Sequence, residues 1–161
     1  MSSCVAVLEA VRESDGYPAR WPDDPAGWIS PPRSTAWVAE ADGAVVGHVC
    51  VVRGTADPVA VARAGVPVER MATLSRLFVA PTVRRRGVAA ALVAVAYEAS
   101  SAAGRRLSLD VVDDDHAAVR LYERLGWQVV DRRPADWVTP AGVRLPVRVY
   151  LAPDASGGQG S

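Results

Sequence analysis

The stretch Arg76–Ala103, RLFVAPTVRRRGVAAALVAVAYEASSAA, decides how the rest of the chain is interpreted. Its apolar run Leu77-Phe78-Val79 indicates the end of a strand, and Pro81 interrupts that strand because proline cannot donate to the hydrogen-bond ladder. An alanine-rich segment of about four turns begins after Gly87 and predicts a helix that ends near Gly104. The stretch therefore predicts a strand, a short loop and a helix.

Three arginines, Arg84, Arg85 and Arg86, stand where this helix begins. The helix dipole makes that end positive, so each cation there is disfavoured by roughly 0.3–1 kcal/mol. A bound anion would explain them, since free amides at a helix start can bind phosphate and Gly87 lets a ligand approach the backbone closely. A solvated surface cluster explains them equally well. A nucleic-acid patch ranks last, because the chain balances 18 basic against 18 acidic residues.

At this point the sequence resembles a known family. Arg84-x-x-Gly87-x-Ala89, between a strand and a helix, is similar to the coenzyme A signature of the GNAT superfamily N-acetyltransferases, which reads Arg or Gln, two residues, Gly, one residue, then Gly or Ala. A second segment, Leu121–Trp127 (LYERLGW), resembles the part of the family that precedes its sixth strand. The resemblance runs from about Trp37 to Leu151, and two patterns in the right order are fairly specific.

Strands that alternate with helices predict an α/β (α+β) domain with a mixed, mostly antiparallel sheet. Asp42-Gly43 between two strand-like runs predicts a β-hairpin over Thr35–Ala41 and Ala44–Val52. The resemblance implies a twisted sheet with helices on both faces, in which the parallel strands Arg70–Val79 and Arg106–Val112 splay apart around the coenzyme. We expect one domain over residues 1–153 and a flexible, Gly/Ser-rich tail over residues 154–161.

The helix after Gly87 is apolar nearly all round, so we expect it to be buried on more than one side. A short helix near Asp24 is predicted with Pro25 at its first position. The run Asp113-Asp114-Asp115 predicts the start of another helix that reaches Leu125, because carboxylates suit a positive helix end.

The start of the chain departs from the family pattern. Apolar residues at Val5, Leu8 and Val11 have helical spacing, whereas the family opens with a strand. Met1-Ser2-Ser3 is too short to supply one, so either the first strand is absent or the start was assigned too late. An absent strand would leave one edge of Thr35–Ala41 unpaired, which favours a homodimer through that edge.

The resemblance implies how the coenzyme would bind. The pyrophosphate would rest on the backbone amides from Arg85 through Ala90, and the three arginines would add charge-assisted bonds. The pantetheine arm would pair with the backbone of Phe78 and Val79 like an added strand. Asp115 stands where members often have an asparagine that contacts the coenzyme. The predicted coenzyme-binding residues are Leu77, Phe78, Val79, Arg84, Arg85, Arg86, Gly87, Val88, Ala89, Ala90 and Asp115.

Tyr122 is the predicted catalytic residue. It matches the tyrosine that protonates the departing thiolate in many family members, and a phenol with a pKa near 10 stays protonated at neutral pH. The alternative is a core aromatic on the inward stripe of its helix.

No general base is assigned from the sequence. Many members place a glutamate on the fourth strand, where this chain has Thr73 and Ser75. Glu40, His48 or Glu69 could act through water, but a lone histidine in a strand is more often simply packed.

The resemblance implies an N-acetyltransferase that moves an acetyl group from acetyl-CoA to a primary amine of a small molecule or protein, by direct attack in a ternary complex. A non-catalytic acyl-CoA-binding module is the alternative, consistent with the missing base. The acceptor is not encoded in a recognisable motif.

Other partners and ligands are not expected. Cys4 and Cys50 are far apart with no repeat, so we expect no disulfide scaffold. His48 and Cys50 could share a strand face, but two potential ligands do not make a zinc site, so we expect no metal. Met1–Val11 does not resemble a signal peptide, and the apolar run Val88–Tyr97 is too short to cross a bilayer. The sequence predicts a cytoplasmic protein that binds neither membrane nor nucleic acid.

Overall fold

The computed structural model describes residues 1–113 and 116–155. Helices and strands follow one another along that part of the chain. They are α1 (Ser2–Asp15), α2 (Pro25–Ile29), β1 (Ser34–Ala41), β2 (Ala44–Arg53), α3 (Pro58–Ala64), β3 (Met71–Val79), α4 (Val88–Ala102), β4 (Arg106–Val112), α5 (His116–Arg124), β5 (Gln128–Pro134) and β6 (Pro146–Leu151). Two single 3₁₀ turns, Val68–Arg70 and Pro81–Val83, flank β3.

The six strands form one sheet in the order β1-β2-β3-β4-β6-β5. Strands β1–β2, β4–β6 and β5–β6 pair antiparallel, and β3 runs parallel to β4. The parallel pairing joins Met71–Thr73 to Arg106–Ser108, at the start of both strands. The predicted α/β (α+β) class with a mixed, mostly antiparallel sheet is confirmed.

The β1–β2 hairpin turns at Asp42-Gly43, as predicted. Both residues have positive φ, 52° and 79°, which is the geometry of a type I′ turn. Strand β1 lies at the edge of the sheet. In the described residues α1 begins at Ser2 and no strand precedes it, and there β1 has β2 as its one neighbour in the sheet.

The chain divides into two compact units, and the first comprises Met1–Val52 and Leu74–Ala96. Its core joins the buried faces of α1 and α2 to Phe78 on β3. Asp24 caps α2, since its carboxylate accepts a hydrogen bond from the Gly27 amide at 3.0 Å, and Pro25 opens the helix as predicted. The buried members of this core are Cys4, Val7, Leu8, Val11, Ile29 and Phe78.

The second unit comprises Arg53–Thr73 and the chain from Tyr97 onward. One core cluster packs Ala60 of α3 and Met71 of β3 against Val149 and Leu151 of β6. Asp57 caps α3 by accepting from the Val59 amide at 2.9 Å. The predicted tail begins at Asp154, which pairs with Arg106 at 3.0 Å. Residues 156–161 lie outside the described residues.

Helix α4 corrects one prediction. Leu92, Val93 and Ala96 are buried on one side of it, whereas Val95 is 44% exposed on the other, so α4 is not buried on more than one side. The sequence misled because alanine supplies most of the apolar character, and an exposed alanine methyl costs little. On the buried side the helix lies close to β2: a Cβ added to Gly47 would stand 3.0 Å from Leu92 Cδ1.

Candidate functional site

The loop between β3 and α4 has an unusual backbone. Arg84 is extended, with φ −64° and ψ 155°, whereas Arg85 and Gly87 are left-handed, with φ 64° and 75°. The side chains of Arg84, Arg85 and Arg86 are all exposed. Left-handed residues in a turn can direct successive N–H groups toward one point, as in anion-binding backbone nests.

The first turn of α4 adds further donors to this loop. The amide of Ala91 bonds the Gly87 carbonyl at 3.0 Å, so the preceding amides of Val88, Ala89 and Ala90 have no acceptor within the helix. No acidic side chain lies in this first turn. Because the helix dipole is positive here, the end of α4 and the arginines before it suit a bound anion.

Arg84 already has an anionic partner. Its Nη2 atom forms an ion pair with Oδ2 of Asp15, the last residue of α1, and the two side chains are 40% and 36% exposed. The hydrogen bond from Arg84 is the main reason that the pKa of Asp15 lies below its usual range. Arg85 and Arg86 have no ion pair among the described residues. Nothing in the sequence indicated the Asp15 contact.

The three residues before the loop differ in what they can offer a ligand. Phe78 is 3% exposed, and its ring stacks on His48 with centroids 5.0 Å apart. Its side chain therefore belongs to the core, and only its backbone is available for binding. Leu77 and Val79 are half-buried.

His48 is a packed histidine. Its ring is 2% exposed, and Nδ1 lies 2.8 Å from the carbonyl oxygen of Arg76. Burial is the main cause that lowers the pKa of His48, so the ring is neutral at pH 7 and Nδ1 donates the hydrogen bond. This geometry supports the packing interpretation.

The remaining positions considered for a base lie on β1, in the turn before β3 and on β3 itself. Glu40 and Glu69 are exposed. Thr73 donates to the carbonyl oxygen of Thr55 at 3.0 Å, which commits its hydroxyl proton. The general base is therefore still unassigned.

Tyr122 is 4% exposed and lies in an aromatic cluster of the second unit. Its ring centroid is 5.5 Å from that of Trp127 and 5.7 Å from that of Tyr150. Such a cluster holds the phenol in one orientation. The placement is compatible both with packing and with proton donation.

The sequence reasoning missed Arg76. This residue of β3 has φ 54°, which is rare for a side chain of its size. Its Nε donates to the Trp28 carbonyl oxygen at 3.1 Å, and its Cζ lies 4.0 Å from the centroid of the Trp28 ring. The sequence predicted only a strand residue here, because neither contact has a local signal.

Comparison with known families agrees with this arrangement of loop and helix. The acetyltransferase (GNAT) family model matches residues 5–127. The chain belongs to the GNAT acetyltransferase family. This confirms the resemblance drawn from Arg84, Gly87 and Ala89, and it makes the chain an acyltransferase by family. No curated protein matches the sequence significantly.

Solved structures share the GNAT fold at low sequence identity. The ribosomal-protein-S18-alanine N-acetyltransferase from Escherichia coli is 19% identical with a TM-score of 0.73, covering 99% of this chain and 91% of that one. Arabidopsis thaliana NAA60 in complex with acetyl-CoA is 19% identical with a TM-score of 0.72, covering 93% and 92%. The putative acetyltransferase yncA from Salmonella typhimurium with its cofactor acetyl-CoA is 19% identical with a TM-score of 0.69, covering 96% and 94%.

Other features of this GNAT chain concern metals, disulfides and membranes. Over residues 1–113 and 116–155, no three His, Cys, Asp or Glu side chains come together as a metal site would require. Cys4 and Cys50 are free and buried, and burial raises the pKa of Cys50 to about 11. No helix in that same part of the chain has the length and hydrophobicity of a membrane span. Asp115, a predicted coenzyme contact, lies outside the described residues.

Proposed function

We propose that this GNAT acetyltransferase transfers the acetyl group of acetyl-CoA to a primary amine of a small molecule or protein. One observation carries the proposal. Two arginines that form no ion pair among the described residues, and a left-handed glycine, stand directly before a helix whose first amides have no intrahelical acceptor. A multiply charged phosphate fits that combination better than a monovalent side chain does. Acetyl-CoA in the structures of NAA60 and yncA supports the same choice.

In this proposal the backbone carries most of the coenzyme. The pyrophosphate accepts hydrogen bonds from the amides of Arg85 through Ala90, and the side chains of Arg85 and Arg86 neutralise its charge. Arg84 joins them when it leaves Asp15. The pantetheine arm pairs with the backbone of Leu77–Val79, which follows the segment of β3 that pairs with β4.

The proposed reaction is a direct transfer within a ternary complex. The deprotonated acceptor nitrogen attacks the thioester carbonyl carbon, so that a C–N bond forms and the C–S bond breaks. Tyr122 gives its phenolic proton to the departing sulfur and recovers one from solvent. A proton is released from the acceptor nitrogen, and the products are the N-acetylated amine and free CoA.

Several further predictions from the sequence belong with this proposal. They are a single domain over residues 1–153, a flexible tail over residues 154–161, a cytoplasmic location, and a homodimer formed through the β1 edge. Neither nucleic acid nor membrane is a proposed partner. Asp115 stays a predicted coenzyme contact.

Gly87→Glu tests coenzyme binding, because it places a carboxylate where the pyrophosphate would lie. At a hundredfold excess over its dissociation constant, acetyl-CoA should stabilise the wild type by about 2.7 kcal/mol, and the variant should lose that gain. Gly87→Ala controls for the strain of φ 75°, since its Cβ would meet nothing within 4 Å. Gly43→Glu, at φ 79° in the β1–β2 turn, controls for an added charge. An unchanged thermal shift in Gly87→Glu contradicts the proposal.

Free-thiol release from acetyl-CoA over a panel of amines then tests transfer itself. Turnover with any amine supports the enzyme. Coenzyme binding without turnover on any acceptor would support the alternative prediction, a non-catalytic acyl-CoA-binding module.

A further inference from the structure

Arg76 is held in place by several contacts at once. Its left-handed backbone costs about 1 kcal/mol or more. The His48 ring fixes its carbonyl, and its guanidinium bonds the Trp28 carbonyl and stacks on the Trp28 ring. Strain of this kind persists only where the surroundings impose it, and it concentrates at functional positions. The guanidinium is therefore a fixed group.

The positive charge of Arg76 is uncompensated among the residues that the structure describes. No carboxylate of the described residues pairs with it. Among the described residues its side chain donates one hydrogen bond, through Nε, so Nη1 and Nη2 can still donate to a ligand. Its positive charge lowers the pKa of His48 and opposes the rise that burial gives Cys50, but neither group is an anion at neutral pH. A carboxylate that accepted hydrogen bonds from Nη1 and Nη2 would form charge-assisted bonds with this group.

The surroundings of Arg76 indicate the rest of such a ligand. Trp28 is half-buried and Tyr17 is 37% exposed, and their rings meet edge to face with centroids 6.0 Å apart. Tyr17, Trp28 and Arg76 together form what we call the aromatic–cation surface. An exposed tyrosine ring and a half-buried tryptophan ring beside a fixed guanidinium suit a molecule that carries both an apolar part and a carboxylate.

The position of this surface along β3 ties it to acetyl transfer. Arg76 immediately precedes Leu77–Val79, the proposed pantetheine-binding residues, and a strand advances only about 3.3 Å per residue. A molecule held on Arg76 would therefore lie within a few ångströms of the backbone along which the thioester is proposed to run.

We propose that the aromatic–cation surface binds the acceptor, and that the acceptor is an amine that also carries a carboxylate. The Nη1 and Nη2 atoms of Arg76 donate two parallel hydrogen bonds to the carboxylate, the bidentate geometry typical of arginine. Trp28 and Tyr17 contact the apolar part of the acceptor. The reaction is the acetyl transfer proposed above: a C–N bond forms, the thioester C–S bond breaks, and the sulfur takes a proton. This inference rests on the proposed function and names its substrate class.

Matched pairs of ligands test the inference. Leucine, phenylalanine and methionine would be compared with their amides for binding to the enzyme saturated with CoA, using calorimetry, and for turnover. Each acid should bind at least tenfold more tightly than its amide. Isocaproate, which is leucine without the amine, should compete with leucine, whereas isocaproamide should not. A wild type that binds acid and amide equally, or binds neither, overturns the inference.

Variants assign the preference to one residue. Arg76→Gln should reduce the acid-to-amide ratio to near one while the thermal shift with acetyl-CoA is retained. Arg63→Gln removes an exposed arginine of α3 and should leave the ratio unchanged. If folded Arg76→Gln keeps the wild-type preference for acid over amide, Arg76 does not bind the carboxylate and the assignment is overturned. If that variant does not fold, the competition by isocaproate in the wild type decides. Loss of the acetyl-CoA shift in the wild type would count against the proposed function, and loss of the acid preference only against this inference.

Discussion

Arg84 forms an ion pair with Asp15, so the last residue of α1 holds the first arginine of the proposed phosphate loop. The pKa of Asp15 is lowered, chiefly by the hydrogen bond from Arg84, and the pair therefore persists at neutral pH. It is lost only as the pH falls through that lowered pKa. Any phosphate that takes Arg84 must first displace Asp15.

Asp15→Asn should strengthen acetyl-CoA binding. Exposed ion pairs are worth about 0–1 kcal/mol, so removal of this competitor should lower the dissociation constant by up to about fivefold. Calorimetric titration measures the change. Asp23→Asn neutralises an exposed carboxylate that forms no ion pair among the described residues, and it is the matched control. If both variants lowered the dissociation constant equally, the change in net charge would explain the effect, and the Asp15–Arg84 ion pair would not.

Tyr122→Phe should slow transfer without weakening coenzyme binding. General-acid assistance is typically worth 10²–10⁴ in rate, whereas the retained ring preserves the contacts with Trp127 and Tyr150. Steady-state turnover and acetyl-CoA titration separate the two effects. Tyr97→Phe loses a hydroxyl that bonds the Pro153 carbonyl at 3.0 Å, and it should keep full turnover. If Tyr122→Phe also keeps full turnover, the tyrosine is a packing residue.

His48 should make the fold less stable as the medium becomes mildly acidic. Burial lowers its pKa below the ordinary 6.5, so the unfolded chain binds a proton more readily than the folded chain does. The contribution of His48 is complete above pH 6.5 and falls as the pH drops toward the lowered pKa. At about pH 5.5 this loss cannot exceed about 1.4 kcal/mol, the limit set by the ordinary pKa of 6.5 in the unfolded chain.

Urea unfolding over this pH range measures that loss. His48→Gln should lower stability overall but flatten its pH dependence. A wild-type profile that is flat between pH 7.5 and 5.5 would contradict the mechanism.

Val38→Lys should weaken self-association. Val38 is 46% exposed on the edge strand β1, and a lysine on an edge opposes pairing with a second strand. Sedimentation velocity over a concentration series should show wild-type dimers that the variant shifts toward monomer. Val59→Lys changes a valine that is 38% exposed on α3 and should have no effect. A wild type that is monomeric throughout removes the β1 edge as an interface.

The sequence predicted those features that depend on neighbouring residues. Asp42-Gly43 specified the hairpin turn, because glycine and aspartate tolerate the left-handed backbone that a type I′ turn needs. Pro25 marked the first position of α2 for a similar reason, since its φ is already helical. Gly87, together with the arginines before it, identified the start of α4.

Features that depend on distant residues were not predictable in this way. Asp15 and Arg84 are brought together only when α1 packs beside β3. The left-handed backbone of Arg76 was hidden because the strand pattern of β3 continues through it. Val95 looked buried because composition does not reveal which side of an alanine-rich helix meets the sheet. Each of these required the assembled fold.

The left-handed backbone of Arg85 has a practical consequence for protein engineering. Glycine would adopt φ 64° without steric cost, and Arg85 is exposed and holds no ion pair in the described chain. Selection for heat resistance alone would therefore favour Arg85→Gly while removing a charge proposed to hold the pyrophosphate. Directed evolution of this scaffold therefore needs a coenzyme-dependent selection at every round. A higher melting temperature favours glycine at position 85, whereas retained catalysis favours arginine.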